Sequence, residues 1–587
     1  LTFEIDEAVG NQFVAMTIVD ELYRNGVRYV AISPGSRSTP LALAFLAHHG
    51  ISARVILDER SSSFFALGLA KASNAPVAIL TTSGTASVEL SPAITEAYYS
   101  GLPLIVLSSD RPLELYGTGS SQTINQTELY SGFVVGRILI DAGAKGAWSS
   151  IRSSISRAVL EAKGLFGPGG PFHLNVSFRE PLISPQYEPN GQFQGRGNEE
   201  PWYEKIDLAS HDKTYEFART LCSVRRGLIV VGEDRQLEAI FAISELLGWP
   251  TLVDPRAGIV RRSRFAITHF DSILRQGTLT EALTPAVILY FGMPSASKVL
   301  SQFIARVSSN DNGPLTKVFR SGRRAWDPEG TASGFIVGNL ERLVAQLSGQ
   351  AIEEPSKHIE AFTNAFLDAD GRIEKVIEGS LDLGVETRSI REVVRHLLPS
   401  DLLFVSASMP IRDLESFASN ENSFPVILEN RGTNGIDGII ATFSGSASHL
   451  SALCPDTIAV LILGDLSFLY DVSFLRELSR LDLAALIVVL DNNGGGIFSF
   501  LSQKDIVDEK SFETLFGTPH NSDLDRIARG FGIDVETSKD SSRIQSAIEE
   551  VRGSRKTSLL VIKSDRDENL AAHKKINEAI AKEFSID

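Results

Sequence analysis

At 587 residues the chain is too long for one hydrophobic core and should divide into several domains. Its 43% apolar and 22% charged content is ordinary globular composition, and a net charge of −16 argues against nucleic acid, whose phosphates call for clustered Lys and Arg. Two widely separated cysteines, Cys222 and Cys454, exclude a disulfide framework or a zinc site, and no apolar run reaches the roughly 18 residues of a membrane span. A soluble protein is expected. The start at Leu1, without Met or a cleavable apolar segment, reads as a mature or excised piece.

From Val27 the chain alternates strand and helix. Strands are predicted at 28–32, 53–57, 77–80, 104–107 and 172–176, with helices from about Thr39, from Ser61, near Ser87 and over 149–163. Such alternation predicts a doubly wound parallel sheet. Ser33–Arg37, Asp58-Glu59, Thr82–Thr85 and Ser108–Pro112 then fall at strand ends on one edge. Residues 184–212 mix Pro, Gly, Gln and charge and read as a linker. A second α/β unit follows, with strands at 227–231 and 286–290, and ends before the polar stretch 349–357. The third runs to the C-terminus. The expected domains are 1–190, 191–350 and 351–587.

The third domain holds the most informative stretch. Apolar runs at 457–463 and 484–490 read as buried parallel strands joined by a helical crossover over 471–481. They end in Gly464-Asp465-Leu466-Ser467 and in Asp491-Asn492-Asn493-Gly494-Gly495-Gly496-Ile497-Phe498. Parallel neighbours bring Asp465 and Asn492 to the same sheet edge, where open α/β sheets bind ligands. A carboxylate and an amide oxygen are hard ligands suited to Mg²⁺, which also takes phosphate oxygens, and the glycines let backbone approach an anion. Asp and Asn-Gly are also ordinary turn chemistry. Their pairing across one βαβ unit favours a site. Glu59, alone, reads as an acid favoured at a helix N-terminus.

At these residues the chain resembles the thiamine-diphosphate enzymes, with Leu466 where the third position of the signature is usually Gly. Glu59 with Ala66 and Gly68, Thr82–Thr85 and Ala97–Pro103 resemble the first domain of that superfamily. Within it, the chain is similar to the 2-succinyl-5-enolpyruvyl-6-hydroxy-3-cyclohexene-1-carboxylate (SEPHCHC) synthases of menaquinone and phylloquinone biosynthesis. That likeness rests on Ser33–Pro40, Asp110–Pro112, Glu429–Gly438, Gly464–Ser467 with Leu469–Asp471, and Asn492–Gly495 with Ile497-Phe498. The family also writes Gly-Asp-Leu.

The resemblance implies three parallel-sheet domains of the thiamine-diphosphate-binding fold and the cofactors thiamine diphosphate and Mg²⁺, with Mn²⁺ as a substitute. It implies metal ligation by Asp465, Asn492 and the Gly494 carbonyl. Leu466 and Ser467 would lie at the cofactor, Ile436 would prop it with Ile497 and Phe498 beside it, and Glu59 would hydrogen-bond the aminopyrimidine. For the three apolar residues plain core packing is the alternative. Ser36, Arg37, Arg111, Gln122, Lys298, Ser408, Arg412 and Arg431 match substrate-binding positions. Lys298 keeps a positive charge where relatives often have Lys-Arg, and Ser121 stands where they often have Asn.

The implied reaction decarboxylates 2-oxoglutarate and adds the acyl carbanion to isochorismate. Four arginines on one pocket rim suit carboxylate substrates, which guanidinium grips bidentately. The alternatives are another carboligase, such as an acetohydroxyacid synthase using pyruvate, and a non-catalytic nucleotide-binding protein of the same fold. Neither nucleic acid nor a membrane is an expected partner. A homodimer or tetramer is expected, because in the superfamily the first and third domains meet across subunits. The excised start suggests part of a plant multifunctional phylloquinone protein in the chloroplast; a free-standing enzyme would be cytoplasmic.

Overall fold

Short runs such as Ala459–Gly464 and Ala485–Asp491 are apolar on both alternating faces, so they are stable only as strands covered by helices above and below. In the computed structural model every strand pairing among the described residues is parallel, and these strands form three six-stranded sheets. The structure describes residues 7–142, 148–184, 195–203, 212–234, 236–257, 263–277, 283–309, 316–350, 357–380, 384–418 and 425–585. Most of the stretch 349–357 that ends the second α/β unit in the sequence reading lies outside them, as does most of 184–212.

The first sheet contains β1 (Tyr29–Ile32), β2 (Ser52–Val55), β3 (Val77–Thr81), β4 (Leu104–Asp110), β5 (Gly136–Asp141) and β6 (Phe172–Ser177), in the order 2-1-3-4-6-5. The second contains β7 (Gly227–Val231), β8 (Thr251–Val253), β9 (Ala266–Ile267), β10 (Val287–Phe291), β11 (Lys317–Ser321) and β12 (Gly334–Phe335), in the order 12-11-10-7-8-9. The third contains β13 (Leu402–Val405), β14 (Val426–Leu428), β15 (Ala459–Gly464), β16 (Ala485–Asp491), β17 (Asp534–Ser538) and β18 (Ser558–Lys563), in the order 14-13-15-16-18-17. The first and third orders share one plan.

The chain forms two compact units. One comprises residues 1–207, 430–456 and 467–483 and carries the first sheet; the other comprises 208–429, 457–466 and 484–587 and carries the second and third. Segments 430–456 and 467–483 thus pack in the unit that carries the first sheet.

Within the first unit the helix Ile439–Leu453 lies directly on the helix Glu59–Ser73. Small residues allow this closeness: a Cβ on Gly68 would run into the Thr442 carbonyl, and one on Gly445 into the Phe65 carbonyl. The described part of the expected linker, 195–203, is tied down rather than free. The Trp202 N–H donates to Glu21 Oε1 at 2.8 Å, and Arg24 Nη1 donates to the Arg196 carbonyl at 2.7 Å.

In the second unit a charged staple joins the second sheet to the helices Lys357–Gly379 and Val385–His396. His269 Nδ1 stands 3.2 Å from Asp370 Oδ1, and its Nε2 stands 2.8 Å from Glu374 Oε2, off the hydrogen-bonding direction. Glu374 in turn accepts from Arg391 at 2.8 Å. Burial alone would push His269 down, but the two carboxylates reverse this and hold it up at about 9. Burial alone would raise Glu374, and His269 with Arg391 holds it down at about 2.

In place of the helix expected over 471–481 the crossover consists of a short helix Asp465–Tyr470, a 3₁₀ turn Val472–Phe474 and a single turn Leu475–Leu478. The reason is Asp471. Its buried carboxylate accepts from the Ala441 N–H at 3.0 Å and pairs with Arg60 at 3.4 Å, which fixes the chain at a kink.

Candidate active site

The ends of β15 and β16 meet as the parallel pairing requires. Asp465 is buried, accepting from the Leu466 N–H through Oδ1 at 2.6 Å and from the Gly494 N–H through Oδ2 at 2.9 Å. Burial pushes its carboxyl up, Asp491 adds to this, and the Gly494 amide and His520 oppose it. A bound cation would reverse that balance. The Oδ1 of Asn492 is buried and has no hydrogen-bond partner among the described residues. A buried amide oxygen without a partner costs free energy unless something binds it. A hard divalent cation fits this donor set of carboxylate, amide oxygen and the glycine backbone.

Gly494, Gly495 and Gly496 serve packing as well as approach to an anion. A Cβ on Gly494 would strike the Gly517 carbonyl, one on Gly495 the Phe516 carbonyl, and one on Gly496 the Asn492 amide. The Gly495 N–H donates to the Gly517 carbonyl at 2.8 Å. Space beside Gly464 is open, and Leu466 is half-buried with its amide on Asp465. Ser467 is buried.

Two residues here escape the sequence reading. Among the described residues, Asp465, Asp491 and His520 form a cluster whose ligand atoms lie within 4.8 Å of one another. The Ser522 N–H donates to His520 Nδ1 at 3.0 Å, which leaves Nε2 as the donor to Asp465 Oδ2 at 3.3 Å. His520 thereby orients Asp465. The second is Glu386, which accepts from Asn492 Nδ2 at 2.9 Å. Burial pushes Glu386 up to about 7, against the hydrogen bonds from Asn492 and Ser564. No local pattern marks either: His520 is one histidine in a turn-rich stretch, and Glu386 looks like a first-turn acid.

In the first unit Glu59 opens its helix, half-buried, and its carboxylate makes no hydrogen bond or ion pair among the described residues. Its neighbours anchor it on both sides. Asp58 caps the helix through the Ser61 N–H at 3.2 Å and accepts from Ser473 Oγ at 2.6 Å, while Arg60 donates to the Tyr470 carbonyl at 3.2 Å. Ile436 is 37% exposed in the chain, so core packing is not its role. Ile497 and Phe498 are half-buried, with the Phe498 ring centroid 5.4 Å from that of Phe516.

The expected substrate residues fall into groups. Arg37 and Arg111 lie at the same edge of the first sheet, and burial, then the Arg37 charge, lowers the Arg111 guanidinium. Arg111 donates to Ser83 Oγ and, at 3.4 Å, to Gln122 Oε1; Gln122 Nε2 donates to the Ser83 carbonyl at 2.9 Å. Arg37 is buried, donating to the Phe178 carbonyl and to Glu180 Oε1, each at 2.9 Å, and Ser36 is exposed beside it. Beneath this edge, Gln126 and Asn175 form a buried network that holds the Gly84 amide at 2.8 Å and Asp110 Oδ2 at 2.7 Å. Arg431 and Ile436 ride on a loop that Glu96 holds by the Gly432 N–H at 2.7 Å and the Thr433 N–H at 2.6 Å.

In the second unit Ser408, with φ +80°, precedes the helix Met409–Phe417, and Arg412 reaches back to its carbonyl. Lys298 is exposed. Ser297 caps its helix through the Leu300 N–H at 3.0 Å and donates to Asp271 at 2.6 Å, so it is committed to structure.

Comparison with known proteins agrees with this geometry. Residues 13–129 match the thiamine pyrophosphate enzyme N-terminal TPP binding domain, 194–318 the middle domain of thiamine pyrophosphate enzymes, and 432–562 the C-terminal TPP binding domain. A 4-hydroxybenzoylformate decarboxylase from Rhodococcus jostii, itself thiamine diphosphate-dependent, superposes with a TM-score of 0.70 at 14% identity, covering 94% of this chain and 99% of that one. The protein is a thiamine-diphosphate-dependent enzyme. The SEPHCHC synthase of Bacillus cytotoxicus is 35% identical over 95% of this chain and 94% of its own length. That of Myxococcus xanthus is 34% identical over 96% of each. The chain belongs to the SEPHCHC synthase family.

Proposed function

We propose that the enzyme decarboxylates 2-oxoglutarate and adds the resulting acyl group to isochorismate, giving SEPHCHC, with thiamine diphosphate and Mg²⁺, in menaquinone or phylloquinone biosynthesis. The observation that carries the substrate choice is that Arg37 and Arg111 stand at strand ends on one edge of the first sheet, Arg111 held by Ser83 and Gln122. Two guanidinium groups on one sheet edge suit a site for multiply charged anions. The substrates bring two carboxylates each into a protein of net charge −16, so local cations are required.

Asp465, the orphaned Oδ1 of Asn492 and the Gly494 carbonyl would hold Mg²⁺ and, with it, a diphosphate. When bound, thiamine diphosphate supplies the electron sink through which a 2-oxo acid loses CO₂. Glu59, with no partner of its own, would hydrogen-bond the aminopyrimidine and keep a proton at that ring. Ile436 would offer an apolar support. Arg412 would grip the distal carboxylate of 2-oxoglutarate, and Arg111 with Gln122 would orient isochorismate, so that the protein's share of catalysis is placement and charge neutralisation. The active assembly is a homodimer.

Mass spectrometry of products after incubation with 2-oxoglutarate, isochorismate, thiamine diphosphate and Mg²⁺ tests this reading. An adduct of the succinyl-semialdehyde unit with isochorismate is expected. Turnover of pyruvate in place of 2-oxoglutarate would instead favour an acetohydroxyacid-type carboligase.

A further inference from the structure

We infer that Glu386 is a positioning residue for the metal: it holds the amide of Asn492 by its nitrogen and so turns Oδ1 toward the cation. This rests on the reading of Asn492 as a metal ligand.

Glu386 opens the helix Val385–His396, 106 positions before Asn492, and is 1% exposed. Three donors converge on it. Asn492 Nδ2 at 2.9 Å and Ser564 Oγ at 2.7 Å reach Oε1, and Asn569 Nδ2 at 3.0 Å reaches Oε2. Both carboxyl oxygens therefore act as acceptors.

An asparagine amide has two ends that differ chemically but hardly in shape, and only the oxygen can bind a cation. Packing cannot choose between them; Glu386 Oε1, which already accepts from Ser564, can. With Nδ2 drawn to Glu386, the Oδ1 end faces away, and there it is buried without a hydrogen-bond partner among the described residues. Gly496 gives the amide its place beside Glu386, since a Cβ at that position would meet Asn492 Nδ2. If Glu386 served only the helix terminus, it could sit in water at much lower cost. Its burial against the amide of a ligand is what a group that orients metal ligands shows, and losing such a group typically costs about 10–100-fold in metal affinity.

The test is titration of Mn²⁺ into the full chain with thiamine diphosphate, followed by electron paramagnetic resonance, with the melting temperature measured without metal. Glu386→Ala should raise the Mn²⁺ dissociation constant roughly 10–100-fold in the wild-type background. In an Asn492→Ala background it should change that constant by less than about twofold, because a residue acting only through Asn492 has nothing left to orient. Equal losses in both backgrounds, or no loss in the first, would overturn the inference. If Glu386→Ala does not fold, Glu386→Asp, which withdraws the carboxylate by one methylene, is read in the same cycle against the same criteria. Asp465→Ala separates the underlying reading: if it leaves Mn²⁺ binding intact, the metal site itself is misplaced and the role of Glu386 falls with it.

Discussion

Asn493 and Asn521 hold each other twice: the Asn521 N–H donates to Asn493 Oδ1 at 2.8 Å, and Asn493 Nδ2 donates to Asn521 Oδ1 at 3.1 Å. This reciprocal pair clasps the loop after β16 to the turn that carries His520. The geometry around Asp465 is thus set by two loops together.

Asp465→Ala is expected to abolish Mg²⁺-dependent binding of thiamine diphosphate. It removes the proposed metal ligand and also the acceptor for Gly494 and His520, and the diphosphate would then face an acidic chain without its counter-ion. Calorimetry with and without Mg²⁺ measures this; unchanged affinity would refute the metal assignment.

Glu59→Gln should leave cofactor affinity nearly intact and lower kcat by several orders of magnitude. An amide still hydrogen-bonds but does not support a proton on the pyrimidine, so the loss belongs to chemistry. Asp58 and Arg60, the residues that anchor the helix start, are untouched. Steady-state kinetics beside a binding isotherm decide it, and a near-normal kcat would sink the role.

Arg412→Ala should raise KM for 2-oxoglutarate far more than for isochorismate, and Arg111→Ala the reverse, each by up to about 2–5 kcal/mol of lost charge-assisted binding. Arg37 is the less informative site, because its guanidinium also holds the Phe178 carbonyl and Glu180. Equal effects of both variants on both substrates would end the proposed division.

Much of this fold is legible in the sequence because strands buried on both faces, such as β10 and β16, appear as unbroken apolar runs. Strands β9 and β12, of two residues each, leave no such trace. The broken crossover is hidden for another reason: Asp471 bends it through the Ala441 amide, a partner 30 positions away. The same holds in the site. Asp465 and Asn492 are found by spacing, whereas Glu386 and His520 act through contacts that no local period records.

The His269 staple should make stability depend on pH in a defined way. The His269 share, with its group held at about 9 against 6.5, is complete below pH 6.5 and is lost as pH rises through 9. The Glu374 share, with its group held at about 2 against 4.5, is complete above pH 4.5 and is lost as pH falls through 2. His269→Ala should cost about 3–5 kcal/mol and flatten the decline above pH 6.5. Urea unfolding across pH checks both parts; an unaltered slope in the variant would exclude the staple.

Gly68→Ala is expected to destabilise the first unit by about 1–3 kcal/mol or more, because the added methyl meets the Thr442 backbone rather than a side chain that can turn. Gly445→Ala presses on the same helix pair from the other side, at the Phe65 carbonyl, so the two costs should not add. Thermal melts of both single variants and the double variant measure this.

The reach of Glu386 to Asn492 across 106 positions bears on transplantation. A designer who moved only the segment 464–498 onto another parallel sheet would carry the signature intact and leave behind the group that sets the amide's direction. Such a graft would need a buried acceptor supplied by its new host before it could discriminate a cation from a water molecule.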